Sequence, residues 1–302
     1  MNQAAFPLTA NRDEEDDLDL VRAAGSGDAM ALDQLVRRHQ SWIYNLALRF
    51  LLNPDDAADL TQEVLIRIIT RLGQFQGRSS FRTWAYRIVM HAFLDGKKGK
   101  LERQIKNFAL FGAELDELPN TPLNLPRGFQ PERRLLVEEA KIGCMLGMLL
   151  CLSREQRLTY ILGEIFEVPS QIGGEVFDIP AATFRKRLAR ARADLVNFMN
   201  DKCGLINQDN PCRCEKKTSA FMKAGWLDPQ RLKFADHTLQ ALREVAPRAA
   251  VKLKDLTAEK YASLFRDHPF YEGPDLARRL RVMLEDPEIR ATFLLDPSGD
   301  ED

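Results

Sequence analysis

Asn53-Pro54-Asp55-Asp56-Ala57-Ala58-Asp59-Leu60-Thr61-Gln62-Glu63-Val64-Leu65-Ile66-Arg67-Ile68-Ile69-Thr70-Arg71-Leu72 is written as a helix from its first residue. Asn53 is a capping residue, Pro54 suits the first helical position, and Asp55 and Asp56 face the positive end of the helix dipole. Ala57, Leu60, Val64, Ile68 and Leu72 keep to one face and are expected in a core. Asp59, Gln62, Glu63 and Arg67 fall on another, which periodicity alone reads as a solvated face or a docking face. The same spacing of apolar residues runs along most of the chain, and β-branched alternation is absent, so the fold class is all-α. Helices are expected over about 17–24, 28–40, 41–52, 54–72, 80–95, 131–151, 153–166, 170–177 and 181–199. Weaker patterns follow over about 228–245, 257–267, 274–285 and 287–294.

Immediately downstream, Phe75-Gln76-Gly77-Arg78-Ser79-Ser80-Phe81-Arg82-Thr83-Trp84-Ala85-Tyr86-Arg87 interleaves arginines with aromatics beside a capped helix start at Ser79 or Ser80. Aromatics can stack on unpaired bases, and arginines can hold phosphates or base edges. The spacing puts Phe81, Trp84 and Ile88 on a buried stripe. Arg78, Arg82, Tyr86 and Arg87 fall off it, open equally to solvent and to nucleic acid.

Further along, Ser153 caps a helix that leads through Val168-Pro169 to a helix-turn-helix spacing. Gly174 stands where two helices approach closely, Phe177 in the core, Ile179 in the turn and Pro180 at the next helix start. Phe184 and Leu188 belong to that helix's buried side. Thr183, Arg185, Lys186, Arg187, Arg190 and Arg192 are left for solvent or a DNA groove, short side chain early and cations flanking. Gly173 stands where a larger aliphatic is usual and Asp178 where the turn normally has glycine.

The 302 residues carry a net charge of −1, with 45% hydrophobic and 29% charged side chains. The average hides an arrangement. Acids crowd positions 13–19 and the last few residues, whereas Lys97, Lys98, Lys100, Arg103 and Lys106 form one basic run and 185–192 another. Local basic stripes bind phosphate whatever the total charge. No signal peptide or membrane-length apolar run is visible, so a cytoplasmic location is expected. Pro119, Pro122 and Pro126 with Gly112 and Gly128 forbid a continuous helix before Pro131.

Four segments together resemble the extracytoplasmic-function (ECF) branch of the sigma-70 family: Leu20–Asp28, Tyr44–Arg49, Asp55–Val64 and Ser79–Ile88. Arg185–Arg192 resembles the end of that family's −35-reading domain. The resemblance implies a sigma factor without enzymatic activity, whose partners are core RNA polymerase and promoter DNA. It implies polymerase contacts at Asp59, Gln62 and Glu63. It further implies −10 contacts at Arg78, Ser80, Arg82, Tyr86 and Arg87, and −35 contacts at Thr183, Arg185, Lys186, Arg187 and Arg190. The expected organisation is an acidic disordered start (1–16), a region 2-like domain (17–106), a Pro-rich linker (107–130), a region 4-like helix-turn-helix domain (131–201), a Cys-rich loop (202–218) and a helical C-terminal extension (219–302). The competing reading is a stand-alone helix-turn-helix regulator that acts without polymerase. It explains 153–199 and leaves Asp55–Val64 and Ser79–Ile88 without purpose.

Two features lie outside that resemblance. Cys144 and Cys151, seven apart on one helix, are expected as small core residues. Cys203, Cys212 and Cys214 lie on one loop beside Lys202, Arg213, Lys216 and Lys217, cations that favour thiolate. Three thiolates could take three zinc positions, with His237 or an outside group as the fourth, or serve a redox role. A cytosolic metalloenzyme built on that loop lacks carboxylate or His partners, Glu215 aside. The extension, with Trp226, Phe234, Leu239, Leu242, Tyr261, Leu264 and Phe265, can bury a small core and regulate the DNA-binding units in place of a separate anti-sigma factor.

Overall fold

A computed structural model of the chain describes residues 11–96, 100–105, 107–124, 130–234, 271 and 273–284. The first unit contains α1 (Asn11–Gly25), α2 (Ala29–Leu51), α3 (Pro54–Thr70), a 3-10 turn at Leu72–Gln74 and α4 (Phe81–Asp95). Two short helices follow, α5 (Lys100–Gln104) and α6 (Phe108–Glu117). The second unit contains α7 (Gln130–Leu150), α8 (Arg154–Tyr160) running into a π turn at Ile161–Ile165, α9 (Ser170–Phe177) and α10 (Ala181–Lys202). Beyond it come α11 (Cys214–Lys223) and α12 (Leu276–Leu284). Among the described residues there is no strand, and one isolated bridge pairs Cys203 with Cys212.

The helix ends follow the local chemistry. Asp28 accepts hydrogen bonds from the Met30 and Ala31 amides, and Asn53 from those of Asp55 and Asp56. Ser153 and Gln156 form a reciprocal capping box. The chain expected as two helices over 28–40 and 41–52 is one, because no residue between them breaks the run.

α2 is the spine of the first unit, packed by α1 and α3, with α4 against α3. Ile43, Leu46, Ala47 and Phe50 are wholly enclosed, as are Ala57 and Val64 on α3. Leu60, expected in the core, is only half-buried; Thr61 and Leu65, one position along, are enclosed instead. α1 begins inside the stretch 1–16 expected as disordered, and residues 1–10 lie outside the described part. Asp17 is buried against His39 and Arg38, which gives the acidic helix an anchor. His39 Nδ1 accepts from the Trp42 indole at 2.9 Å, and its Nε2 lies 3.2 Å from Asp17. Burial lowers the His39 pKa, outweighing Asp17.

The stretch 107–130 is more than a linker. Asn107 caps α6 by accepting from the Leu110 amide, and Phe111 and Leu115 are buried. The Phe111 ring meets Phe198 of α10 and Trp226 beyond α11. Lys217 of α11 is itself buried and donates its ammonium to the Leu115 carbonyl at 2.6 Å and to that of Leu118. The apolar residues read as loop thus had partners far along the sequence.

The extension does not begin as expected: residues 228–234 are turns, not the start of a helix. The patterns at 257–267 and 287–294, with Leu239, Leu242, Tyr261, Leu264 and Phe265, lie outside the described residues. Trp226 stacks on Phe221 yet remains 44% exposed. Glu139 of α7 accepts the Lys233 and Phe234 amides. Phe234 then meets the Tyr271 ring at 6.4 Å between centroids. Asn45 of α2 pairs with the Tyr271 backbone in both directions at 2.8 Å, and Gln40 accepts the Ala277 amide. Leu276, Ala277 and Leu280 of α12 are buried, and α12 packs on α2.

Candidate nucleic-acid interface

On α3, Asp59 and Glu63 are exposed and Gln62 is half-buried, while Arg67 pairs with Glu63 one turn away. The face is therefore acidic at its N-terminal end and neutralised towards its C-terminal end.

In the arginine–aromatic stretch two expectations trade places. Tyr86 is buried (4% exposed), with its ring 4.6 Å from that of Trp42, and burial pushes its hydroxyl up to about 12. It is a core residue of α4, not a surface one. Trp84 is half-buried instead, its ring tilted against those of Phe75 and Phe81 at 5.5 Å from each. The helix starts at Phe81 and Ala85 is wholly enclosed, so the buried stripe is wide enough to take in Tyr86. Ser80 acts as the cap of α4, accepting the Thr83 amide at 3.0 Å. Arg78 is exposed and Arg82 half-buried. Arg87 reaches out of the first unit to donate to the Glu175 carbonyl of α9 at 2.9 Å.

The helix-turn-helix is regular in space where the sequence looked irregular. A Cβ on Gly174 would stand 2.7 Å from the Ile179 carbonyl, so the two helices do cross at this residue. A Cβ on Gly173 would stand 2.5 Å from the Phe184 ring, so the small residue is matched by a large one on the facing helix. Asp178 takes the left-handed conformation (φ 53°, ψ 45°) that glycine usually supplies; aspartate tolerates it better than most residues. On α10, Thr183, Arg185, Lys186 and Arg190 are exposed. Arg185 donates to the Ser170 hydroxyl, and Arg187 is half-buried between Glu155 and the Phe177 ring. Arg192, expected towards solvent or DNA, is tied to the buried carboxylate of Glu164.

Sequence reasoning missed the contact between the units. Arg154 donates through Nε and Nη2 to both oxygens of Glu102 on α5, at 2.8 and 2.7 Å. Its Nη1 bonds the Phe93, Leu94 and Gly96 carbonyls at the end of α4. Arg157, 1% exposed, bonds Glu102, the Leu149 carbonyl and the Phe50 carbonyl of α2. Burial raises the Glu102 carboxyl, but the two guanidinia outweigh it and hold it below the ordinary range. Arg49, wholly enclosed, lies over the Phe166 ring at 5.8 Å, and burial lowers it to about 10. No sequence rule flags a buried arginine, because its partners are carbonyls brought in by the fold.

The thiols also differ from expectation. Cys203, Cys212 and Cys214 are all raised above the ordinary range by burial first, Cys214 to about 12, so the nearby cations do not make them thiolates. Cys151 is half-buried and its Sγ points to the Gly147 carbonyl. Cys144, like Cys151, is half-buried and packed against the core, as expected, and burial raises its thiol well above the ordinary range.

Residues 35–101 match the family model for Sigma-70 region 2, which spans α2 to α5. Over 180 residues the chain is 31% identical to the RNA polymerase sigma factor NccH of Alcaligenes xylosoxydans xylosoxydans, covering 60% of this chain and 92% of that protein. It is 29% identical over 180 residues to the RNA polymerase sigma-H factor of Pseudomonas aeruginosa, covering 59% and 91%. It is 28% identical over 187 residues to the ECF RNA polymerase sigma-E factor of Escherichia coli K12, covering 59% and 91%. These relatives do not favour a helix-turn-helix regulator working without polymerase. No helix among the described residues is long and apolar enough to cross a membrane. The chain belongs to the sigma-70 family of RNA polymerase sigma factors, in its extracytoplasmic-function branch, and its function is promoter-directed initiation of transcription.

Proposed function

We propose that this chain binds core RNA polymerase in the cytoplasm through the outer face of α3, and reads promoter DNA with α4 and α10 while leaving phosphodiester chemistry to the polymerase. The observation that carries it is the exposure of Asp59 and Glu63 on α3, one helix away from the aromatic start of α4. Arg78, Arg82 and the half-buried Trp84 offer the −10 strand cations and a stacking face; Tyr86 supports them from the core. Melting a promoter costs stacking energy, and an aromatic that receives an unpaired base offsets part of it. On α10, Thr183, Lys186 and Arg190 suit the −35 groove, and Arg185 joins them once it leaves Ser170.

The arrangement described is a closed one. The −10 and −35 elements lie about 25 base pairs apart, roughly 85 Å at about 3.4 Å per base pair. Here α4 and α9 pack directly, as helices about 10 Å apart do. Both elements cannot be read until the units separate. The extension favours the closed form by bridging the units, with Lys233 and Phe234 on Glu139 of α7 and Tyr271 on Asn45 of α2, a regulatory contact within the chain.

Run-off transcription with purified core polymerase on a promoter library tests the reading. Promoter-dependent transcripts are expected from the full chain. Exchanging Asp59 and Glu63 for arginine should abolish core binding with little change in thermal stability; undiminished binding would remove α3 from the interface. Ending the chain after residue 234 should raise promoter output, and unchanged output with unchanged core affinity would remove the regulatory role.

A further inference from the structure

The joint between the two units is hollow. A cavity of about 720 Å³ opens where the end of α2 and the start of α3 meet α6, α7 and the chain beyond α11. Helices that merely packed against one another would close over such a space. Its size falls within the range of about 300–1,000 Å³ that holds small organic ligands.

The walls explain how it stays open. α7 turns Ala140, Gly143 and Gly147 towards it, and glycine weakens the interior of a helix, so helix propensity did not set these positions. A Cβ on Gly143 would meet no atom within 4 Å, whereas one on Gly147 would stand 3.1 Å from the Phe111 ring. A second wall is aromatic. α11 is followed by Gly225 in the left-handed conformation (φ 73°), and the Trp226 and Leu227 amides both turn back to the Phe221 carbonyl. This sets the Trp226 ring 17° from parallel with Phe111, at 6.1 Å between centroids, and 5.3 Å from the Phe221 ring. Trp226 lines the cavity and is left 44% exposed by its own chain.

The charged groups on the lining are mostly acidic. Asp56 of α3 and Glu114 of α6 are exposed, Glu139 of α7 is buried, and Lys233 is the one cation among the described lining residues. Among the described residues no three His, Cys, Asp or Glu side chains could hold a metal ion, Cys203, Cys212 and Cys214 included, so these acids do not point to a metal. An organic cation suits both walls and charge, because the face of an aromatic ring attracts positive charge and the carboxylates complement it. We propose that this cavity binds a hydrophobic aromatic cation, with its rings beside Phe111 and Trp226 and its charge towards Asp56 and Glu114. The walls come from both units, so the bound cation joins them; its bearing on transcription rests on the closed form proposed above.

Tetraphenylphosphonium is the probe, and equilibrium dialysis against the full-length chain should give one saturable site. Tetraphenylborate, of the same shape and opposite charge, should not displace it. Added salt should weaken binding by screening the carboxylates, and Asp56→Asn with Glu114→Gln should remove most of that salt dependence. Trp226→Ala should lower the affinity about tenfold, as for a desolvated contact between a cation and a ring. Gly143→Leu puts a side chain into the open space and should abolish binding with the thermal midpoint unchanged or raised, which separates a filled cavity from a failed fold. No saturable binding, equal displacement by tetraphenylborate, or undiminished binding in Gly143→Leu would overturn the assignment. Run-off transcription with and without the cation reads the closed form separately: binding with no loss of promoter output would overturn that form and leave the cavity assigned.

Discussion

Replacing Arg154 by alanine should open the molecule. The side chain is 14% exposed, and it joins α8 to α4 and α5 through five hydrogen bonds. Removing one partner of a buried charged pair costs about 3–5 kcal/mol. Arg157 stays 3.1 Å from Glu102 and continues to neutralise it, which puts the loss near the lower bound, about 3 kcal/mol. If the closed form alone holds these contacts, the closed-to-open ratio falls by about two orders of magnitude, at about 1.4 kcal/mol per tenfold. Small-angle scattering of the free chain should then report a larger radius of gyration. A −35 duplex should bind more tightly in the absence of polymerase. Arg154→Lys, which keeps the charge and loses the planar fork, should fall between the two. An unchanged scattering radius and unchanged duplex affinity, with only the thermal midpoint lowered, would mean that Arg154 merely supports the fold and that the closed state has another latch.

Tyr86→Ala should cost about 3–5 kcal/mol of stability as a large core deletion, whereas Trp84→Ala should leave the thermal midpoint nearly intact and weaken capture of a −10 single strand by about 1–3 kcal/mol; the reverse pattern would restore Tyr86 to the surface. Gly173→Ala should destabilise by about 1–3 kcal/mol through its clash with Phe184, and Phe184→Leu in the same chain should recover part of that loss, so strict additivity in thermal melts would deny the pairing. Lys186→Ala with Arg190→Ala should lower the slope of log affinity against log salt for a −35 duplex by about one per residue; an unaltered slope would place the DNA elsewhere. His39 is held neutral by burial, and the unfolded chain takes up a proton near 6.5. Its contribution is complete above that pH and is lost as the pH falls below it. The urea midpoint should drop between pH 7.5 and 5.5, less so in His39→Gln, and an identical drop in both would assign the effect to other groups.

What the sequence made legible is what local rules govern. The cap at Asn53, the spacing around Gly174 and the absence of strand patterning led directly to the helices, and the resemblance of four segments led to the family. The exposure of Asp59, Lys186 and Arg190 followed from periodicity. Tyr86 and Trp84 were exchanged because a stripe drawn at fixed spacing is narrower than the face a helix buries when Trp42 and Phe81 flank it. The linker was misread for a different reason. Phe111 and Leu115 have partners at Phe198, Trp226 and Lys217, and no window of sequence contains both sides of such a contact. The thiols failed in the same way: cations adjacent in sequence suggested thiolates, but burial and the other thiols decide the matter in space.

The meeting of Phe234 with Tyr271 bears on how the chain could be rebuilt. The chain ends on either side of residues 235–270 thus meet in space. Closing a loop across ends already in contact costs only slowly more as the loop lengthens, about 0.6 kcal/mol per doubling. A connection of almost any length could therefore join these two ends while α12 kept its seat on α2. A sigma factor with such a socket could acquire a new input without any change to the surfaces that meet DNA.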